Sequence, residues 1–393
     1  MEASLYIHVP FCQGSKCDYC DFYSIPVRAE DPWSSDPRLK NFTDKVLREG
    51  QKLLSNWKPD AVPTLYIGGG TPSVLGSSGI HALLSGINEL IAEYAALPKE
   101  VTVEANPESA DEAFLATARE SGATRLSLGI QSFHAPSREA VHRGGQRCGA
   151  QDGSGISLHL KRAAEYFPGS LSVDLMSGLP FQDERVLLDD IGAALSYKPA
   201  HVSLYALTLE AGTPLGEKAM APNADFLPGR DEADRLWLCG RDALEKAGYS
   251  QYEVSNFSQS GKESHHNIRY WRMLNWLALG PGASGTIIDD EACRGFRYTV
   301  PKLDNFATEL HEEQLDSITL LKETLLMGFR YIEGPDEELF RRRFGRSIGE
   351  CIPLTLNKWR DKGLFQKNKT ALNKEGLLFL NAFLLDAFEE LDN

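Results

Sequence analysis

Six short β-like runs dominate the first half of the chain: SLYIHV at 4–9, TLYI at 64–67, EVTVEA at 100–105, RLSLGI at 125–130, LSVDLM at 171–176 and HVSLYAL at 201–207. Each is followed by a longer stretch of helical period. A strand, a helical crossover and a further strand give parallel pairing, because antiparallel neighbours need only a tight turn. The intervening segments, LKNFTDKVLREGQKLLSNW and DERVLLDDIGAALSY among them, set apolar residues three and four apart. They are expected to pack as helices on the outside of the sheet. Six such units predict an α/β fold, a partial (β/α)6 TIM-like barrel whose open side leaves a wide lateral mouth for a large substrate. The C-terminal ends of parallel barrel strands form one face, where ligands and catalytic groups collect.

Beyond about residue 300 the alternation stops. The segments ITLLKETLLMGFRY, DEELFRRRFG and IPLTLNKWRDKGLF are helical, and NKTALNKEGLLFLNAFLLDAFEEL holds a short β-like piece before a last helix. The expected division is a barrel domain at 1–300 and a small, mostly helical, winged-helix-like domain at 301–393. Residues 341–374 are locally basic (Arg341, Arg342, Arg343, Arg346, Lys358, Arg360, Lys362, Lys367, Lys369), yet the chain carries a net charge of -14 and no base-reading motif. A solvated face or a docking surface is expected there, and no nucleic acid. The segments 29–37 and 144–155 read as surface loops. The apolar run LLFLNAFLLDAF is short and is broken by Asn381 and Asp386, so no transmembrane helix is expected. MEASLYIHVP has neither the basic start nor the apolar run of a secretory signal, and the cysteines number seven, an odd count. A reducing cytoplasm is the expected location, where clustered thiols point to a metal site or redox chemistry.

The cluster is PFCQGSKCDYCDF, with Cys12, Cys17 and Cys20 directly after the first strand. Three thiolates on one loop can converge on a soft metal. Zinc prefers four closed ligands, and the one nearby candidate for a fourth is His8, on the strand itself. An iron–sulfur cluster with three protein ligands leaves one iron open, and an open iron can hold a substrate. The other strand ends are unusual too: GGGTPS after the second, NPE after the third, QSF after the fourth and SGLP after the fifth. Cys148, Cys239, Cys293 and Cys351 are scattered without ligand spacing and read as ordinary small side chains.

On these motifs the sequence resembles the radical S-adenosylmethionine superfamily, whose members usually carry C-x3-C-x2-C after the first barrel strand. The resemblance implies a 4Fe–4S cluster whose open iron is chelated by S-adenosylmethionine; one electron then cleaves a sulfonium C–S bond to give a 5′-deoxyadenosyl radical. This chain reads C-x4-C-x2-C, and Gly14 is expected to absorb the added residue as a bulge. YIHVPFC, CDYCDF, GGGTPS, VEANPE, LSLGIQSF, VDLMSGLPFQ and SLYALTLEAGTPL further resemble the oxygen-independent coproporphyrinogen III dehydrogenase family and its relatives. Carried over motif by motif, this implies cluster ligands Cys12, Cys17 and Cys20. It also implies S-adenosylmethionine contacts from Tyr6, Tyr19, Gly69, Gly70, Thr71, Glu104, Gln131, Arg143, Asp174 and Ala206.

Two departures separate the chain from the dehydrogenases. These carry a fourth cysteine two residues after the third, where this chain has Phe22, and an extension ahead of the first strand, which here is reached by residue 4. Both departures are shared with the heme chaperone branch of the family, which also carries H-N-x-x-Y. Within the segment 252–285 this chain reads SHHNIRYW, so the resemblance implies heme contacts from His266, Asn267 and Tyr270, with His265 a competitor for the iron. Ser284 stands where that branch typically has His. The leading expectation is a chaperone that binds heme, a 4Fe–4S cluster and S-adenosylmethionine and passes heme to an acceptor, such as a respiratory heme protein at a membrane; the cluster also implies an electron donor. One alternative is oxidative decarboxylation of coproporphyrinogen III. Another is a different radical enzyme acting on a porphyrin or heme. Whether the protein is an enzyme stays open at this point.

Overall fold

The computed structural model describes residues 1–28, 31–143, 154–220, 226–302 and 310–392. Six strands, β1 (Ser4–Val9), β2 (Thr64–Gly69), β3 (Glu100–Ala105), β4 (Arg125–Gln131), β5 (Leu171–Ser177) and β6 (His201–Ala206), lie side by side in chain order. Every adjacent pair is parallel. The crossovers include the helices Pro37–Trp57, Gly76–Tyr94, Glu112–Glu120, Ser154–Tyr166 and Glu184–Leu195. Three of these start on an aspartate whose carboxylate accepts a free first-turn N–H: Asp36 from Arg38, Asp111 from Phe114 and Asp183 from Val186.

Strand composition decides which face meets the helices. Along β1, Leu5, Ile7 and Val9 are fully buried in the main apolar core, as are Leu65 and Ile67 of β2, Val103 of β3, Leu126 and Leu128 of β4 and Val202 and Leu204 of β6. The alternate residues are polar and bond along the lumen face, within a strand or to the neighbouring one. Thr64 donates to Ser4 at 2.7 Å, Tyr6 meets His8 at 3.0 Å, Ser127 donates to Asp174 at 3.1 Å and Ser172 meets His201 at 2.7 Å. Small (β/α)8 barrels fill this space with branched apolar side chains. Here it is lined with hydrogen-bonding groups.

The sheet extends beyond the six expected strands to twelve among the described residues. Trp276–Leu279 pairs with the free side of β1 and is also parallel, a seventh parallel strand that four residues of WLAL did not announce. The antiparallel strands Ser284–Asp289, Arg294–Thr299 and His311–Leu315 follow it. At the other edge, Asn256–Ser258 and Ser250–Gln251 run antiparallel beyond β6. The sheet therefore crosses residue 300, and the helical portion begins with Ser317–Gly328.

That portion has an apolar cluster of its own, including Leu325, Phe329, Phe340, Ile352, Trp359 and Phe383, and one antiparallel bridge, Phe365 to Leu372, at the expected β-like piece. It is tied to the sheet by Arg343, which donates to Asp290 at 2.7 Å and to the Met273 carbonyl at 3.0 Å, and by the Arg297–Glu323 pair. Much of the basic stretch is paired with carboxylates, Lys358 with Asp386 and Lys369 with Glu333 among them. The segment 29–37 is not all loop: Pro32–Ser35 is a short helix, with Asp31 accepting from the Ser34 N–H. Most of the glycine-rich piece 144–155, with Cys148, lies outside the described residues. Among the described residues no helix is long and apolar enough to cross a membrane.

Candidate functional site

At the C-terminal strand ends lies a cavity of about 1410 Å³. Its rim is the cysteine loop. Phe11–Gln13 pairs in parallel with Ile25–Val27, which clamps the loop between them at its base. Gly14 has φ +78° and donates its N–H to the Val27 carbonyl at 2.8 Å, so the added residue in the first gap is taken up by a left-handed turn at a glycine. The Cys20 N–H reaches the Cys17 carbonyl at 3.1 Å, and Asp18, between the cysteines, accepts from Lys218 at 2.6 Å and meets His142 at 2.9 Å.

The glycines after β2 are dictated by this loop. Gly69 has φ +106°, and a Cβ there would stand 2.5 Å from the His8 ring; a Cβ on Gly70 would stand 2.5 Å from the Phe11 carbonyl oxygen. With no side chains in the way, Gly70 donates to the Val9 carbonyl at 2.8 Å and Thr71 to that of Phe11 at 2.6 Å. The Thr71 hydroxyl lies 3.5 Å from the Cys12 sulfur, Asn106 Nδ2 donates to that hydroxyl at 3.1 Å, Arg143 donates to Asn106 Oδ1 at 2.9 Å, and Arg143 Nη1 lies 3.7 Å from the Cys17 sulfur. One hydrogen-bonded arc thus links two of the three cysteines. Asn106 was missed as a site residue, although the NPE motif after the third strand signalled it.

Deeper in the lumen, Glu104 accepts from the Tyr66 hydroxyl at 2.6 Å and from the Gly69 N–H at 3.1 Å; burial pushes its carboxyl up to about 7. Asp174 is raised by burial as well, against the hydrogen bonds that Ser127 donates to it. Gln131 sits at φ +69° where the β4–β5 register shifts, a backbone strain that turns the end of β4 over the cavity.

The N-terminal strand ends are closed by the segment 252–271. Ser264 caps the helix His265–Trp271, and Glu100 on β3 accepts the backbone N–H of both His265 and His266. His266 meets Thr64 at 2.8 Å through Nδ1 and Tyr270 at 2.9 Å through Nε2. Tyr252 meets His201 at 2.8 Å and accepts from the Ser264 N–H at 3.2 Å.

The sequence profile of the Radical SAM superfamily matches residues 6–191. The protein named "Heme chaperone HemW" of Bacillus subtilis is 30% identical over 96% of this chain and 97% of its own. The chain belongs to the HemW family of radical S-adenosylmethionine proteins. The protein of the same name from Escherichia coli is 30% identical over 97% of both chains. "Radical S-adenosyl methionine domain-containing protein 1, mitochondrial" of Bos taurus is 35% identical over 84% of this chain and 73% of its own. Among solved structures, the coproporphyrinogen III oxidase HemN of Escherichia coli superposes with a TM-score of 0.78, covering 98% of this chain and 89% of its own at 18% identity, which shows a shared fold.

Radical SAM membership implies a 4Fe–4S cluster and S-adenosylmethionine. The donor set fits. Cys12, Cys17 and Cys20 lie on one loop at the cavity rim, and a cubane takes each thiolate on a different iron. Burial pushes the Cys20 thiol up to about 11. Of the residues expected around the cofactors, Cys12, Cys17, Cys20, Tyr19, Gly69, Gly70, Thr71, Glu104, Gln131, Arg143, Asp174 and Ala206 all line the one cavity. Tyr6 does not: its hydroxyl turns to His8, beneath the cavity floor. Nor does the expected heme segment of this HemW-family chain reach the cavity. His266 is 1% exposed at the opposite end of the barrel, with its ring nitrogens meeting Thr64 and Tyr270, while its neighbour His265 is exposed. Phe22 stands on the cavity rim, 63% exposed.

Proposed function

We propose that the protein is a heme chaperone of the radical SAM type: it binds heme, holds a 4Fe–4S cluster and S-adenosylmethionine, and transfers heme to an acceptor protein. The carrying observation is the match to HemW proteins over almost the whole of both chains, against a likeness to the coproporphyrinogen oxidase in fold alone. Phe22 at the rim supports it, since a phenyl group cannot supply the thiol that the dehydrogenases of the family carry there.

The cluster, when bound, supplies an electron and one open iron for a chelating amino acid. Cys12, Cys17 and Cys20 are the proposed ligands. Around S-adenosylmethionine, the Gly69–Thr71 backbone would approach closely, Glu104 and Asp174 would accept from hydroxyl or amino groups, Gln131 would hydrogen-bond ribose and Arg143 would pair with the carboxylate. Tyr19 and Ala206 would pack against the cofactor. A reducing compartment such as the cytoplasm suits the free thiols, and a membrane-associated respiratory heme protein is the proposed acceptor. The domain division is proposed at 316, between the last sheet strand and the helical cluster.

The test is anaerobic. Reconstituted protein with S-adenosylmethionine is given coproporphyrinogen III, or is loaded with heme and mixed with a heme-free acceptor. Heme transfer without protoporphyrinogen is expected. Turnover of coproporphyrinogen sinks the chaperone reading in favour of the dehydrogenase, and absence of heme binding sinks it outright.

A further inference from the structure

The helix His265–Trp271 places His266 and Tyr270 one turn apart on its inner face, where the imidazole and the phenol bond each other at 2.9 Å. Burial pushes the His266 ring down to about 3, so it is neutral and has one N–H and one lone pair. The Thr64 hydroxyl gives its proton to Ser4, so the 2.8 Å contact to His266 Nδ1 has Nδ1 as donor. Nε2 is then the acceptor of the Tyr270 hydroxyl. An iron ligand needs a free lone pair on nitrogen, and the single lone pair of this ring is used.

The same ring stacks on Tyr66, with centroids 5.0 Å apart and planes 30° apart. Tyr66 in turn donates to Glu104 at 2.6 Å, and Glu104 lines the cofactor cavity. We propose that His266 is a positioning residue of the cofactor cavity and not a heme ligand: locked by Thr64 and Tyr270, it holds the Tyr66 ring so that its hydroxyl orients Glu104. The HNxxY spacing then serves a hydrogen bond between its own His and Tyr.

The test titrates heme, followed by its Soret band, and S-adenosylmethionine, followed by calorimetry on cluster-reconstituted protein, against wild type, His266→Ala, His266→Gln and Tyr66→Phe. The heme arm rests on the proposed function, and failure of the wild type to bind heme removes that function while the S-adenosylmethionine arm still decides the role of His266. Expected for His266→Ala is heme affinity within about threefold of wild type and S-adenosylmethionine affinity lower by about tenfold, the scale of one mispositioned hydrogen bond. His266→Gln, which can donate to Thr64 and accept from Tyr270, is expected to recover most of the loss. Combining His266→Ala with Tyr66→Phe should cost less than the sum of the two.

A second readout is the pH midpoint of S-adenosylmethionine binding. Glu104 is faced by Tyr66, Tyr6, Tyr270, Tyr205 and Asp174, and of these the Tyr66 bond lowers its pKa, so His266→Ala should move the midpoint upward. Loss of heme binding with unchanged S-adenosylmethionine affinity overturns the proposal, and so does unchanged S-adenosylmethionine affinity in every variant. If His266→Ala does not fold, His266→Gln decides alone: its amide is no replacement for a histidine on iron, so a heme affinity lost by more than about tenfold overturns the proposal and a retained one supports it.

Discussion

The two ends of the barrel are built from the same strands and the same alternation, yet they do opposite things with polar side chains. At the start of the strands Thr64, Ser4, Glu100, His266, Tyr270, His201 and Tyr252 find partners in one another. At the strand ends the cysteines, Glu104, Asp174 and Arg143 face a cavity of about 1410 Å³. A buried polar group whose bonding capacity is used up inside the protein rigidifies; one that also faces a cavity can use its remaining capacity on a ligand. Residue type alone does not tell these apart, since histidine, tyrosine and glutamate occur at both ends.

The sharpest way to break the comparison is at the rim. Cys20→Ala should abolish a stable cluster, with iron content and the visible absorption band falling to near zero while helix content by circular dichroism stays. Gly70→Ala sets a Cβ against the Phe11 carbonyl oxygen and should destabilise the protein by about 1–3 kcal/mol in denaturant unfolding, with cluster yield falling alongside.

Glu104→Gln should weaken S-adenosylmethionine binding by about 10- to 100-fold, the scale of a hydrogen bond to a charged group. In the wild type, a carboxyl held up to about 7 is protonated below that pH and a full acceptor above it, so affinity should rise with pH through 7 and then level off. Stability runs the other way: between the ordinary 4.5 and 7 the folded state keeps a proton that the unfolded state has lost, so this group lowers stability as pH rises. A flat binding profile from pH 6 to 8 would remove Glu104 from the contact set.

At the closed end the effects should be smaller and should leave the cluster in place. Thr64→Val removes the link between Ser4 and His266 and should cost about 1–3 kcal/mol in unfolding with iron content unchanged. The exposed His265→Ala should stay within about 0.5 kcal/mol of wild type. A Thr64→Val protein that loses its cluster would mean that the two ends are not separable.

Much of this was legible in the sequence. The cysteine spacing, GGGTPS, VEANPE and QSF lie directly after strands, so once the runs are read as parallel strands their ends must share one face. Gly14 in the longer gap could be expected to turn left-handed, and does. Other features were not legible. WLAL joins the sheet as a parallel strand by pairing with β1 from the far part of the chain, a tertiary contact with no local signature. Asn106 matters through Thr71 and Arg143, two residues remote in the chain.

By itself, then, the sequence determined the parallel architecture, the helices outside the sheet and the three thiols on one loop, because all of these follow from local period and spacing. Tertiary structure alone decided that Tyr6 lies under the cavity floor and that His266 is shut into the far end. The reason is physical. A motif names the groups that can bond, but which lone pairs remain free is settled by neighbours brought in from other strands, here Thr64 at a distance of 202 residues.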